Sequence, residues 1–524
     1  MKTVRQEARE VPVTKEVDVL VVGGGYAGFG AAICASRNGA STMLVEQQGC
    51  LGGLATLGLV GLHFSYMEGV GVELFYNLQQ EGAVKGRFVD PEKCKRILEQ
   101  MLLKEGVSIL YHTTVIDAIM ADNVIKGAIT HNKGGHQAIL AKRVVDASGD
   151  GDISAYAGAP FEVGCPELFG YNQATSLVCR IGNVDLGKYR ETIRHHAGFW
   201  ERKVDDAVAD GVFPHKVDKR LNWAVVVPGR DPSHGEVLLC YAHSRNCRNL
   251  DAEDLTRQVI EQRQQTDWLM TFLGKYIPGF ENAWLIDTAP MLGVRDSRRV
   301  MGEYKLTGED IVSNARFDDA VVRDMHALDA HHPTDVGHIK HVIRKNADGT
   351  EEKIYARPGS FREIPYRALV PLGVDNLLTA GRNISCDFMG QSGTRLVLTC
   401  LNMGQAAGTA AALSIQDDVP PRKLNVKKLQ RRLIEQGFTL DQHPEYGVKG
   451  ASTKIKIAEE DIELPSSRYG SPSTARIREG KESKYSVADK VDEAAIKGYE
   501  KRATKSAARD GYTDTGGDVG TNLE

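Results

Sequence analysis

Gly23, Gly25 and Gly28, in the segment GGGYAG, follow the apolar, β-branched run Val17 to Val22 and precede a small-residue stretch, Ala27 to Asn38, closed by Gly39. That order predicts a strand, a tight turn and a helix, the arrangement in which a helix N-terminus meets a pyrophosphate. Gly23 permits the turn, Gly25 lets the backbone approach the phosphates, and Gly28 allows close packing of the helix. Thr42 to Val45 reads as the next strand, and Glu46 ends it. A carboxylate there takes ribose hydroxyls and repels a 2′-phosphate, so FAD or NAD is expected in preference to NADP.

Two distant segments choose between them. Val144 to Asp152, VVDASGDGD, is a strand running into a glycine turn that holds Ala147 and Gly149. Asn376 to Ser385, NLLTAGRNIS, is another, ending in Gly381 and Arg382, where a cation can meet a phosphate. A dinucleotide that recruits segments so far apart is held along its whole length as a prosthetic group, which favours FAD. No second GxGxxG follows a strand, so a dedicated NAD(P)H domain is not expected. Nine cysteines without a CxxC pair argue against a disulfide framework and against a zinc or iron–sulfur site.

The elements that must position these residues predict an α/β fold: a discontinuous Rossmann-type FAD-binding domain, three-layered around a parallel sheet, with a mixed α/β substrate or cap domain. Residues 1–17 read as an N-terminal extension, 18–160 and 358–416 as the two parts of the FAD domain, and 161–357 as the cap. Residues 417–450 read as a C-terminal helical segment, and 451–524 as a tail too poor in large apolar residues to order itself. Within the first part, Phe88 to Gly106 is a charged amphipathic helix after Pro91, and Val107 to Val144 an inserted antiparallel sheet. The cap carries a long polar helix near Asp251 to Leu273, and Leu401 to Leu413 is an Ala/Gly-rich helix of the FAD domain.

The 524 residues are 42% hydrophobic and 26% charged, with a formal charge of -4, which offers no basic footprint for nucleic acid. The first 17 residues mix both charge signs without an apolar core, and the longest strongly apolar run, Leu54 to Phe64, is too short to span a bilayer. The expectation is a cytoplasmic protein without a membrane partner, acting on a small molecule, with homo-oligomerisation and the electron acceptor left open.

The chain resembles the FAD-dependent oxidoreductase family of the glutathione-reductase-like flavoproteins over roughly Ala8 to Asp441. The resemblance is carried by DVLVVGGGYAGFGAAICASRNGA, VEQQGCLGGLAT, VVDASGDGDISAYAGAPFEVG, MLGVRDSRRVMGEYKLTGEDI, IPYRALVP and NLLTAGRNIS with MGQAAGTAAAL. It departs from the family where Tyr26 replaces a usual proline, where Ser148 replaces a usual threonine, and across SCDFMGQSGTRLVLTC. The resemblance implies FAD, with the loop holding Gly52 and Gly53 passing near the pyrophosphate and flavin ring. It also implies that the helix opened by Gly404, Gln405 and Ala406 points its N-terminus at the flavin N1 and O2 edge, with Arg395 the nearest cation in sequence. Asp329 and His331 match the family's Asp-x-His element, where an imidazole suits proton removal as hydride leaves for N5.

Other residues carry chemistry by type. Arg295, Arg298 and Arg299 in GVRDSRR present guanidinium forks that bind carboxylates or oxyanions, and Arg295 is the one expected to orient a polar substrate. His63, beyond the GGLAT loop, reads either as a second catalytic histidine or as a satisfied structural one, and His63 with Arg395 forms the alternative pair to His331 with Arg295. Cys50 reads either as a redox or flavin-linking thiol or as a buried inert one. His326, His331, His332, His338 and His341 cluster without cysteine or an HExxH pattern, so no metal is expected. The function expected is two-electron transfer between a small polar substrate and flavin N5. The alternatives are a flavin monooxygenase or halogenase fed with reducing equivalents from outside, and a non-catalytic FAD-stabilised scaffold.

Overall fold

The strand that precedes the glycines spans Val13–Val22, and its last residues divide between two cores. Val19 and Val21 share one with Leu44 and Val145, while Leu20 and Val22 share the other with Met43, Val45 and Val144. A parallel strand covered on both faces needs apolar residues at every position, which is why the run shows no alternation. The computed structural model describes residues 2–4, 7–194, 198–214, 217–219, 221–356 and 361–440; the expected polar tail lies outside these.

Five parallel strands form the centre, in the order Ser108–Leu110, Thr42–Val45, Val13–Val22, Gly135–Asp146 and Leu377–Thr379. Gly135–Asp146 also pairs antiparallel with Val124–Asn132, which pairs with Thr114–Ala121, so the inserted antiparallel sheet grows from the central one. Helices cover one face and the antiparallel strands contribute to the core on the other, giving the three layers. The N-terminal extension is shorter than read: Val13 already pairs with Ala138, but Thr14, Lys15 and Glu16 are exposed and gave no apolar signal.

The helix expected from Leu401 runs instead over Val397–Gln416. It crosses the Tyr26–Arg37 helix so closely that a Cβ added at Gly404 would lie 2.0 Å from the Ala27 carbonyl oxygen, and one at Gly408 2.0 Å from that of Ala31. Two small-residue helices are thereby brought into backbone contact over the sheet.

The intervening region builds a four-stranded antiparallel sheet in the order Trp223–Val226, Val237–Ser244, Thr175–Gly182 and Trp284–Thr288. The long Ala252–Tyr276 helix packs Leu269, Phe272 and Leu273 on one face, against Ile181 and Leu239. The opposite face presents Val178, Val225, Leu238 and Cys240 to Leu59 and Leu62, the loop that leaves the FAD domain. Among the described residues no single helix is long and apolar enough to cross a membrane.

Candidate active site

The glycine turn is built for a close approach. Gly23 has φ +99°, and a Cβ there would stand 2.5 Å from the Ala147 carbonyl oxygen. Gly28 lies so near that a Cβ would meet the Gly23 oxygen at 1.8 Å, which joins helix to turn. At Gly25 the opposite holds: a Cβ would find none of the described atoms within 4 Å, so the space beside it is open. Gly25 also begins the Tyr26–Arg37 helix without a side-chain cap, leaving first-turn N–H groups to face that space. An uncapped helix N-terminus beside an open cradle fits a pyrophosphate.

Glu46 is buried at the end of its strand, where Oε2 accepts from the Gly24 N–H at 2.6 Å and Oε1 from the Gln48 N–H at 2.7 Å. Burial raises its carboxyl pKa while those backbone donors oppose the rise. Each oxygen keeps a second lone pair for a ribose hydroxyl. The loop after it folds back, with the Gly52 N–H donating to the Gly24 carbonyl at 2.8 Å and a Cβ at Gly53 reaching within 3.2 Å of the Gly25 Cα. The residues present therefore fit the adenosine diphosphate half of FAD.

The two distant segments also meet. Ala147 donates from its N–H to Val22, and Ala380 donates to Asp146, so the turns holding Gly149 and Gly381 stand side by side. Arg382 is held by groups of the chain itself. Its guanidinium is paired with Asp150 at 2.7 Å and with the Ser297 hydroxyl at 2.7 Å, and it ties the FAD domain to the cap strand region. Nothing in the sequence signals that pairing, because Asp150 lies 232 residues away.

A cleft of about 140 Å³ lies between the loop Leu54 to Phe64, the cap sheet and the start of the Val397–Gln416 helix. Arg295, His331, Asp329 and Arg395 line it together, with Phe64 and Trp223 among its apolar walls. Three of the four catalytic candidates thus share one cavity. Sequence reasoning missed Ser176, Trp223 and the helix start at Leu396 and Val397. That start is uncapped, with an arginine and a leucine where a Ser, Thr, Asp or Asn would have marked it.

Arg295 donates to the Ala174 carbonyl at 2.7 Å and the Ser176 hydroxyl at 2.8 Å. Arg395 donates to the Asp329 carbonyl at 2.6 Å and lies 3.4 Å from its carboxylate, while its Nε is buried without a partner among the described residues. Burial pulls the Arg395 pKa down to about 10 and lowers that of Arg295. The Asp329 carboxylate also holds His338 Nδ1 at 2.7 Å and lies 3.8 Å from His331 Nε2. Against its burial, the His338 and His331 imidazoles and the Arg395 guanidinium beside it hold its carboxyl well below the usual range. His331 is pushed well below its ordinary value by burial and by Arg295, so it stands neutral. The donor atoms of Asp329, His331 and His338 lie within 4.8 Å of one another, a spacing that a metal ion could also use.

The other candidates fall elsewhere. Leu62 and Phe64 face the cleft, but His63 between them turns away and is 1% exposed. Its Nε2 lies 2.7 Å from the hydroxyl of Tyr26, the residue that departs from the family pattern, and its ring meets Phe75. Burial lowers its pKa to about 3, and His63 does not line the cleft that holds Arg395, a placement that suits the structural reading of this histidine. Gly404, Gln405 and Ala406 do not open their helix; Gly404 serves helix packing, and Gln405 accepts from the Val70 N–H at 2.9 Å and donates to Gln436 at 3.2 Å. Arg298 pairs with Asp152 and Arg299 with Asp296. Burial raises the Cys50 thiol pKa, which leaves no activated thiolate.

The chain is similar at low identity to several solved structures. A geranylgeranyl bacteriochlorophyll reductase-like protein from Thermoplasma acidophilum is 13% identical, with 80% of this chain and 86% of that chain covered and a TM-score of 0.40. The p-nitrophenol 4-monooxygenase of Pseudomonas putida is 12% identical over 95% of this chain and all of its own, with a TM-score of 0.41. L-proline dehydrogenase from P. horikoshii is 13% identical over 80% and 98%, with a TM-score of 0.35. Among curated proteins, a fumarate reductase (cytochrome) of Shewanella frigidimarina is 40% identical over 67 residues, which is 13% of this chain and 12% of that protein's length. The model of the family described as FAD dependent oxidoreductase matches residues 18–433, so the chain belongs to that family and FAD is its cofactor.

Proposed function

We propose that the protein is a dehydrogenase or oxidase that moves two electrons, as hydride, between a small polar substrate and flavin N5. The observation that carries this reading is the cleft in which His331, Arg295 and Arg395 converge beside an uncapped helix N-terminus. When bound, FAD supplies the hydride chemistry; the chain positions the substrate and moves its proton.

Arg295 has its fork held open by Ala174 and Ser176, so its remaining N–H edges are oriented before substrate arrives. His331 is neutral and so is ready to accept a proton; at Nε2 that proton is stabilised by Asp329, whose own charge is maintained by Arg395 and His338. The apolar walls Leu62, Phe64, Val178 and Trp223 exclude water from the transfer. Anaerobic mixing of the yellow protein with alcohols, amines, hydroxy acids and amino acids tests the reading. Bleaching of the flavin by one class supports it; rapid reduction by NADPH with no bleaching by any class would place the chain among externally reduced monooxygenases.

A further inference from the structure

The charges around the cleft do not balance. Arg295 and Arg395 bring two positive charges and Asp329 one negative, with the His331 imidazole neutral, so the arginines that line the cleft outnumber its one lining carboxylate by one. Arg295 donates only to neutral groups, and among the described residues it has no carboxylate in ion-pair range. Arg395 keeps a buried Nε without a partner, on a side chain that is 10% exposed. The 20-residue Val397–Gln416 helix begins at this point with no side-chain cap, adding its own positive end. Buried guanidinium groups without a counter-charge are unfavourable unless a ligand supplies one. The rest of the wall is apolar, through Leu62, Phe64, Val178 and Trp223.

Building on the hydride-transfer reading, we infer that the substrate is a small monocarboxylate with an apolar body, its carboxylate seated on Arg295 and Arg395 and its body against Phe64 and Trp223. One negative charge completes the local balance, where a dicarboxylate would exceed it and an amine would worsen it. The seat also prepares the base. Arg295 is one of the groups that depress His331, and a carboxylate on Arg295 offsets that repulsion, so the imidazole gains basicity when the substrate is in place.

The test uses the purified oxidised holoprotein, in which the flavin ring is uncharged, and reads the perturbation of flavin absorbance on titration. The probes are acetate, propionate and phenylacetate, each against its amide at equal ionic strength made up with sodium chloride. The carboxylates are expected to bind at least ~10-fold more tightly than the matching amides, as a charge-assisted bidentate contact demands. Arg295→Gln should abolish that preference, and Arg295→Lys should keep part of it, with flavin content and melting temperature confirming that both variants are folded. Equal affinity for acid and amide, failure of all three acids to bind, or a preference that survives Arg295→Gln in folded protein would overturn the inference. Binding and turnover separate the two readings. Carboxylates that bind selectively while no compound class bleaches the flavin would sink hydride transfer alone, and bleaching by neutral alcohols or amines without carboxylate selectivity would sink the carboxylate seat alone.

Discussion

Gly404 stands directly over the carbonyl oxygen of Ala27, at a distance where a single added carbon would lie 2.0 Å from it. The obstacle is helix backbone, which cannot move aside as a flexible side chain would. Gly404→Val should therefore destabilise the protein by about 1–3 kcal/mol or more through overpacking. Thermal unfolding of the holoprotein checks this. The FAD content of whatever variant folds should be unchanged, because the glycine serves the helix crossing; selective loss of FAD at full stability would restore Gly404 to the cofactor site.

Gly25 gives the complementary case. Its φ of -65° suits any residue, and a Cβ there meets none of the described atoms within 4 Å. Gly25→Val should leave the apoprotein folded yet unable to retain FAD, since the side chain would fill the space beside the helix N-terminus. Far-ultraviolet circular dichroism should match the parent, and the supernatant after heat denaturation should contain no FAD. A yellow Gly25→Val protein would contradict the pyrophosphate assignment.

These two glycines also show what the sequence revealed and what it did not. The strand, turn and helix around Gly23 to Arg37 were legible because a doubly buried strand and a glycine turn leave local signatures. Gly404 looked like a helix opening because its small-residue run begins there, while the true start at Val397 carries no capping residue. The surroundings of Arg382 and His63 were hidden for another reason: the groups that hold them, Asp150 and Tyr26, are local in space but remote in sequence. Of the candidate site, His331, Arg295 and Arg395 were legible by chemical type, and their convergence on one cleft was not, since it depends on how the cap sheet meets the helix start.

Acid should destabilise the protein before its carboxylates titrate. His63 and His243 are each depressed to about 3, and His331 lies well below 6.5, chiefly by burial. A histidine whose folded pKa lies below its unfolded value contributes stability that is fully present above about pH 6.5 and is lost as the pH falls. At pH 5.5 His63 and His243 each remove about 1.2 kcal/mol relative to neutral pH. The depressed carboxyl of Asp329 acts in the same direction but only nearer pH 4 and below. Denaturant titrations from pH 8 to 5 should show this decline, and in His63→Gln the slope below pH 6 should shrink by about one proton's worth. A profile unchanged by that substitution would mean that His63 is not buried and neutral.

The most direct test of the cleft is His331→Ala, read by anaerobic flavin reduction in a stopped-flow instrument. The side chain contacts the cleft, has its Nε2 3.8 Å from Asp329, and lies against the tilted ring of His338 with centroids 3.9 Å apart. If it accepts the substrate proton, its loss should slow flavin reduction by ~10²–10⁴-fold while FAD content and substrate affinity change little. The pH dependence should agree. Because burial and Arg295 hold the imidazole of the free enzyme well below its ordinary value, the rate at substrate concentrations far below saturation should hold as the pH drops through 6.5, with no inflection there. His338→Ala acts through Asp329 and should slow reduction less than His331→Ala, since Arg395 still holds that carboxylate. A His331→Ala protein that reduces its flavin at the parent rate would remove the histidine from the proton path.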